Sequence, residues 1–216
     1  MYCPLCKTGQ GAPLIVRERR EFSVCGQCAL IFQSEGPVLS KTDERARYEL
    51  HRYDPADSGY REFLTTAIAP LMSHLKPNSR GLDYGCGRSP AIQSMVQEFG
   101  HEVVNYDPHF WPGDPAERAP FDFVICTEAA EHFTAPREEF DTIFSLLSPR
   151  GVVSLMTSTW SEETDLAEWW YMRDPTHLVF YHHTTFRWIA ETYQMKLLIP
   201  HVNVALFSAN TGSVTP

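Results

Sequence analysis

Four cysteines near the start of the chain have a type and spacing that could bind a metal ion. Cys3 and Cys6 form one C-x2-C pair, and Cys25 and Cys28 form a second pair eighteen residues later. Such pairs turn four thiolates toward one point, which is the ligand set of a tetrahedral zinc site. Short strand-like runs lie between and after the pairs, as in a zinc ribbon. The spacing predicts a structural zinc ion, because four thiolates leave no open position for water or substrate.

A glycine-rich turn in the middle of the chain is the second pattern with chemical potential. The run Leu82-Asp83-Tyr84-Gly85-Cys86-Gly87 joins a predicted strand to a predicted helix, and its glycines let the backbone approach a ligand closely. Twenty residues beyond Gly87, Asp107 ends the next strand, where a carboxylate can accept the hydroxyls of an adenosine ribose. Pro90 stands where a dinucleotide pattern has glycine. The pattern therefore favours an adenosyl group over a dinucleotide.

The segment from Trp169 to His183 holds five aromatic residues and three histidines. Such a cluster either packs down as a lid or contacts a substrate directly. His177 follows Asp174 by three residues, so the aspartate could orient this imidazole as a general base, and His132 beside Glu131 is another candidate. These histidines with Asp174 could also bind a second metal ion, but no H-x3-H or H-E-x2-H spacing supports that reading.

Apolar periodicity beyond residue 40 predicts strands that alternate with helices. The expected strands are 81–84, 102–106, 121–126, 152–156, 196–199 and 202–207, and the expected helices lie around 64–75, 92–99, 140–147 and 186–193. This alternation predicts an α/β fold, namely a Rossmann-like, mostly parallel sheet with helices on both faces. We expect two domains, a zinc ribbon at 1–40 and a larger α/β domain at 41–212.

From about residue 42 to residue 210 the chain resembles the class I S-adenosylmethionine-dependent methyltransferases. The resemblance rests on the glycine-rich turn, on Asp107, on segment 121–126 followed by Glu128 and Glu131-His132, and on the helix end at 147–151. The cofactor-binding residues that it implies are Asp83, Gly85, Cys86, Gly87, Asp107, Pro108, Thr127 and Glu128. The glycine turn would surround the methionine part of S-adenosylmethionine, and Asp107 would bind the ribose. Thr127 and Glu128 would border the methyl group. The ribbon is similar to one that precedes the catalytic domain in a subset of bacterial methyltransferases.

Two features depart from the family pattern. Ser89 stands where a third glycine is common, and only thirteen residues separate Asp107 from Phe121. The third strand and its helix are therefore predicted to be shortened or missing. The side chains that could then hold the adenine ring are His109, Phe110 and Trp111. Related methyltransferases fold an upstream segment over the cofactor. The side chains at the corresponding place in this chain are Tyr48, His51, Tyr53 and Tyr60.

Charge and hydropathy limit the classes of partner that the protein is expected to bind. The chain has 216 residues and a net charge of −9. Because residues 1–40 carry four basic and three acidic side chains, the remainder carries −10. An acidic domain repels phosphate backbones, which disfavours nucleic acid as a partner. No stretch is long and apolar enough for a membrane span, and the first residues lack signal-peptide features, so we expect a soluble, cytoplasmic protein.

The methyl acceptor is expected to be a small molecule. Two alternatives stay open at this point. The chain could methylate RNA or protein and use the ribbon to read that partner, or it could be a non-catalytic module that binds an adenosine metabolite. Neither the acceptor atom nor the oligomeric state follows from the sequence, because one fold supports many functions.

Overall fold

A computed structural model of the chain describes residues 1–50 and 54–210, so His51 and Tyr53 lie outside the described residues. The strands are β1 (Gly11–Arg17), β2 (Arg20–Cys25), β3 (Ile31–Glu35), β4 (Arg80–Tyr84), β5 (Glu102–Tyr106), β6 (Phe121–Thr127), β7 (Leu147–Met156), β8 (Val179–Phe180), β9 (Met195–His201) and β10 (Val204–Ala209). The α-helices are α1 (Lys41–Tyr48), α2 (Ser58–Met72), α3 (Ala91–Gln97), α4 (Pro136–Ser145) and α5 (His183–Thr192). No helix among these residues is long and apolar enough to cross a membrane.

The larger sheet has the strand order β5-β4-β6-β7-β10-β9. Its first four strands are parallel, and β10 runs antiparallel to both of its neighbours. Phe123 and Ile125 of β6 pack with α2 and α3, whereas Val124 and Cys126 pack on the opposite face with α4 and α5. Strands covered on both faces carry continuous apolar runs, as β6 does from Phe123 to Cys126. The predicted Rossmann-like fold is confirmed.

The sheet ends at β5 because the third strand of the family pattern is missing. Residues 107–120 are all described, and they form an isolated bridge between Asp107 and Trp111 followed by a short 3-10 helix, Pro115–Arg118. The predicted shortening of this region is confirmed. The segment that replaces the strand lies beside the glycine turn, since the amides of Gly85 and Cys86 both donate to the carbonyl of Tyr106.

One boundary differs from the sequence prediction. Helix α4 ends at Ser145, and β7 already begins at Leu147 rather than at Val152. Leu147 pairs with Phe121, whereas Val152 pairs with Phe123, so the register shifts between the two pairs. Residues 148–151 form the bulge that absorbs the difference, and Pro149 and Gly151 within it fit an interrupted strand.

A second, smaller sheet joins the ribbon to the rest of the chain. Its strand order is β1-β2-β3-β8, and β8 comes from the aromatic segment 169–183. Ile31 pairs with Phe180, and Phe32 pairs with Val179. The two predicted domains, 1–40 and 41–212, therefore share this sheet, and the boundary between them stays a prediction.

Candidate functional site

The four ribbon cysteines converge as the spacing predicts. The Sγ atoms of Cys3 and Cys28 are 3.6 Å apart, as are those of Cys6 and Cys25, and all four sulphur atoms lie within 4.8 Å of one another. Zinc–sulphur bonds of about 2.3 Å in a tetrahedron separate sulphur atoms by about 3.8 Å, so the arrangement fits this ion. All four thiols are buried, and the amide of Gly9 donates to Sγ of Cys6.

The glycine turn follows β4 and needs its glycines for two different reasons. Gly85 and Gly87 have φ angles of +81° and +65°, which glycine adopts without steric cost. A Cβ atom at Gly85 would also lie 2.6 Å from Cβ of Ala129, whereas one at Gly87 would meet open space. Cys86 between them is partly buried. The turn therefore exposes backbone at the carboxyl edge of the sheet, where ligands of such sheets bind.

Asp107 ties the glycine turn to the loop after β5. Its Oδ2 accepts from the amide of Gly87 at 3.1 Å, and its Oδ1 accepts from the amides of His109 and Phe110 at 2.8 and 3.0 Å. Pro108 is exposed beside it. Oδ2 keeps a further lone pair, whereas both lone pairs of Oδ1 are occupied, so Asp107 can still accept a ribose hydroxyl while it organises the loop.

Asp83, the acidic residue of the turn, has a carboxylate oxygen without a hydrogen bond to any described residue. It is 1% exposed, and its Oδ1 has no hydrogen-bond partner among the described residues. Burial, followed by the charge of Asp107, raises the pKa of Asp83 to about 8. An unpaired buried carboxylate oxygen is costly, so this position fits a ligand that brings a positive group. The amino-acid part of S-adenosylmethionine carries such a group.

Helix α1 lies over the loop that replaces the third strand. The Tyr48 ring contacts the His109 ring at 5.6 Å and the His132 ring at 5.2 Å. Arg45 donates to the carbonyl of His109 at 3.0 Å and lies over the ring of Phe110. Tyr48 thus bridges the loop predicted to hold adenine and the histidines predicted to act in catalysis.

A polar network follows the end of β6, where Thr127 is half-buried. Glu128 has a φ of +46°, a left-handed conformation that is strained for a residue other than glycine. The Tyr171 hydroxyl donates to Glu128 at 3.3 Å and lies 3.1 Å from Oγ1 of Thr157, which donates to Glu131 at 2.9 Å. Burial, followed by the charge of Glu131, raises the pKa of Glu128 to about 9.

The two predicted histidines come together beside this network. The rings of His132 and His177 are 4.8 Å apart, and one ligand atom from each of Glu131, His132 and His177 lies within 4.8 Å of the others. Nδ1 of His177 lies 2.7 Å from the carbonyl of Tyr171, and Nδ1 of His132 lies 3.0 Å from that of Thr176. Burial lowers the pKa of His177 to about 4. Each Nδ1 therefore donates to a carbonyl, and the uncharged His177 keeps a lone pair on Nε2.

Asp174 does not orient His177, contrary to the sequence expectation. Its carboxylate accepts from Nε and Nη2 of Arg47 at 2.9 and 2.8 Å, and from the amide and hydroxyl of Thr176. Burial alone would raise the pKa of Asp174, but these hydrogen bonds lower it below its usual range. The aspartate is therefore satisfied by α1 and by its own turn, and a backbone carbonyl orients His177 instead.

The aromatic segment is mostly core rather than a free lid. Tyr171, Met172 and Phe180 are buried against Phe22 and Ile31 of the ribbon. Arg20 reaches across from the ribbon, where it is 3% exposed, and donates to the carbonyls of Met172, Asp174 and His177 at 2.8, 3.1 and 3.2 Å. No sequence pattern points to Arg20, Arg47 or Thr157, because their partners at the site lie in distant parts of the chain.

Comparison with known proteins gives the class. Residues 56–198 match the sequence profile of the methyltransferase domain, and the chain therefore belongs to this family. It is an S-adenosylmethionine-dependent class I methyltransferase. No curated protein sequence matches the chain significantly.

Two solved structures show the same fold. One is 1,6-didemethyltoxoflavin-N1-methyltransferase of Burkholderia thailandensis, with bound 1,6-didemethyltoxoflavin and S-adenosylhomocysteine; its TM-score is 0.54 at 15% identity, over 91% of this chain and 98% of that chain. The other is an S-adenosylmethionine-dependent methyltransferase of Archaeoglobus fulgidus, with a TM-score of 0.50 at 22% identity, over 63% of this chain and 69% of that chain. At these identities the likeness concerns the fold.

Proposed function

We propose that this methyltransferase acts on a small-molecule acceptor, which binds beside Glu128, His132 and His177. The observation that carries the proposal is the buried polar network after β6, which sits next to the glycine turn. His177 is 7% exposed and Glu131 only 1%, so the group that reaches them has to enter the protein. The Burkholderia relative of the same fold, which binds 1,6-didemethyltoxoflavin, supports a small acceptor.

The cofactor is assigned to the edge formed by β4, β5 and β6. Asp83, Gly85, Cys86 and Gly87 would hold its methionine part, and Asp107 with Pro108 its ribose. Thr127 and Glu128 would border the methyl group. S-adenosylmethionine supplies a methyl group that is already activated, so the protein has to position the nucleophile and exclude water. Tyr48 of α1 covers this region and is placed to do the second task.

His177 is the group that we assign to the nucleophile of the acceptor, as a base or as a hydrogen-bonding group. Since its pKa is lowered to about 4 by burial, it is uncharged at neutral pH, and its Nδ1–H donates to the Tyr171 carbonyl. The lone pair on Nε2 is therefore available. His132 has the same arrangement with Thr176. Asp174 is a positioning residue, because it fixes Arg47 and Thr176 around this turn.

The ribbon is assigned a structural zinc ion at Cys3, Cys6, Cys25 and Cys28. Four thiolates leave no open coordination position, so the ion takes no part in the chemistry. The ribbon still supports the site, because β3 pairs with β8 and Arg20 holds three carbonyls of the turn that carries His177.

A panel of small-molecule acceptors, tested for S-adenosylhomocysteine formation, addresses this proposal. We expect turnover with one chemical class of small acceptor, and a loss of that turnover in His177→Ala. The control is His74→Ala, which alters an exposed histidine just after α2. Turnover only with RNA or protein fractions, and with none of the small acceptors, would overturn the proposal.

A further inference from the structure

Glu131, His132 and His177 form a second group of metal-binding side chains, separate from the ribbon cysteines. We propose that these three residues bind a divalent transition-metal ion. Nε2 of His132 lies 3.8 Å from Oε1 of Glu131, and the three side chains each place a ligand atom within 4.8 Å of the others. Ligand atoms around an ion with bonds of about 2.0–2.2 Å are roughly 3.0–3.5 Å apart. Shifts of about 1 Å therefore close the site.

The two histidines are already oriented as ligands. Metal-binding histidines usually donate the N–H of the second ring nitrogen to a carbonyl or a carboxylate, which fixes the tautomer. His177 donates from Nδ1 to the carbonyl of Tyr171 at 2.7 Å, and His132 donates from Nδ1 to that of Thr176 at 3.0 Å. Both rings thus keep Nε2 for the ion. This pattern is more specific than mere proximity, because Nδ1 of each ring is satisfied, while within residues 1–50 and 54–210 neither Nε2 has a hydrogen bond.

The carboxylate of Glu131 is oriented in a similar way, with one oxygen atom held by a hydrogen bond and the other directed toward His132. Its Oε2 accepts from the Thr157 hydroxyl at 2.9 Å, and its Oε1 is the atom that lies toward His132. Glu131 is 1% exposed, and among residues 1–50 and 54–210 its only partner at ion-pair distance is the His132 imidazole. Buried carboxylates are normally paired or coordinate a metal. Glu128 provides a second carboxyl group nearby, which accepts a hydrogen bond from the hydroxyl of Tyr171.

The ligand set selects the class of ion. Two imidazoles and one carboxylate suit zinc, iron(II), cobalt(II) or manganese(II), whereas calcium and magnesium prefer oxygen ligands alone. Three protein ligands leave open positions, unlike the four thiolates of the ribbon. This step rests on the proposed function: the open positions would take an oxygen or nitrogen donor of the acceptor. With the ion bound, Nε2 of His177 would be a ligand rather than a base, and His177 would act on the acceptor through the ion.

The test is a titration of Co²⁺ into the full-length protein with zinc already in the ribbon. We expect one further ion per chain, with an absorption spectrum of nitrogen and oxygen ligands and without thiolate-to-cobalt charge transfer. Glu131→Gln and His132→Ala should each weaken binding by more than about 10-fold, because loss of even an outer-shell partner of a metal ligand costs about 10–100-fold. His74→Ala should bind as the wild type does.

Zinc content and S-adenosylhomocysteine affinity, measured in the same variants, show whether each is folded. The proposal is overturned if the wild type takes up no Co²⁺ beyond the ribbon, or if folded Glu131→Gln and His132→Ala bind it unchanged. Because the readout is metal binding, either result leaves the acceptor proposal standing. Turnover of a small acceptor by chelator-treated protein would support the acceptor proposal and would overturn the role of the ion in binding the acceptor.

Discussion

The ribbon cysteines are a buried group of metal-binding side chains, and Glu131, His132 and His177 are a largely buried one, but the two are built differently. The cysteines occupy two short knuckles, and each pair is separated by two residues. His177, in contrast, reaches the other two from a different segment, 45 residues beyond His132. The cysteine set is complete with four ligands, and the cluster is incomplete with three. The difference fits the two roles proposed above, a structural zinc ion in the ribbon and a cluster that acts on ligands.

The largest expected effect concerns the stabilising site. Cys25→Ser should lose the zinc ion and unfold the ribbon, because structural zinc contributes about 10–16 kcal/mol in small zinc domains. Since β3 pairs with β8, protection should fall in residues 169–183 as well as in 1–40. Elemental analysis and hydrogen exchange measure both effects. Cys86→Ser, which keeps all four ligands, should retain one zinc ion. A metal-free Cys25→Ser protein with a protected ribbon would contradict the structural role.

The second effect concerns the site that acts on ligands. His177→Ala should lower turnover about 10²–10⁴-fold and leave cofactor affinity nearly unchanged, because the residue is assigned to the acceptor. Steady-state kinetics and calorimetry with S-adenosylhomocysteine measure the two quantities. If turnover and KM for the acceptor stay normal, His177 belongs to the packed core. The cluster would then have no role in ligand binding that distinguishes it from the ribbon cysteines.

A third effect tests Asp107, which has both a structural and a proposed ligand role. Asp107→Ala should weaken S-adenosylhomocysteine binding by about 1–3 kcal/mol, through loss of charge-assisted hydrogen bonds to the ribose. Calorimetry measures the change, and NAD should not bind either protein. Asp114→Ala is the control, since this exposed aspartate caps only the short 3-10 helix. Equal affinity in the two variants would remove Asp107 from the ribose site.

The smallest effect is a pH dependence that arises from Asp83. With a pKa raised to about 8 by burial, its carboxyl group is mainly protonated at pH 6–7 in the ligand-free protein. A positive ligand group favours the ionised form, so binding should release a proton, and affinity should rise toward pH 8 and then level off. The expected slope is at most about 1.4 kcal/mol per pH unit. Calorimetry in buffers of different ionisation enthalpy detects the proton. Asp83→Asn should lose this release, whereas an unchanged release would assign it to another group.

The fold was predictable because its signals are local. Apolar periodicity located the strands of the large sheet, and the short spacing between Asp107 and Phe121 predicted the missing strand. The cysteine cluster followed from spacing alone. Asp174 was different, because its carboxylate does not bind the imidazole of His177, three residues further along the chain. Arg47, which is 127 residues away, binds the carboxylate, and no pattern within the segment could reveal that contact.

The cluster of Glu131, His132 and His177 could be predicted only in part, because contacts between distant parts of the chain leave no local pattern. The sequence points to the two histidines as candidates, but no spacing in it supports a second metal ion bound with Asp174. The structure brings in Glu131 instead, because the hydroxyl of Thr157 holds it from the end of β7. Spacing rules apply to ligands on one helix or one knuckle. They do not cover ligands that meet only when a strand end and a distant turn pack together.

The pairing of β3 with β8 also determines how this protein could be divided. A fragment that begins after residue 40 would leave β8 as an unpaired strand edge and would expose Tyr171 and Phe180, which the ribbon now covers. Open edges and exposed aromatic patches promote association between chains. The fragment would therefore aggregate or exchange strands with a second copy, so the ribbon also acts as a solubility cap for the larger domain.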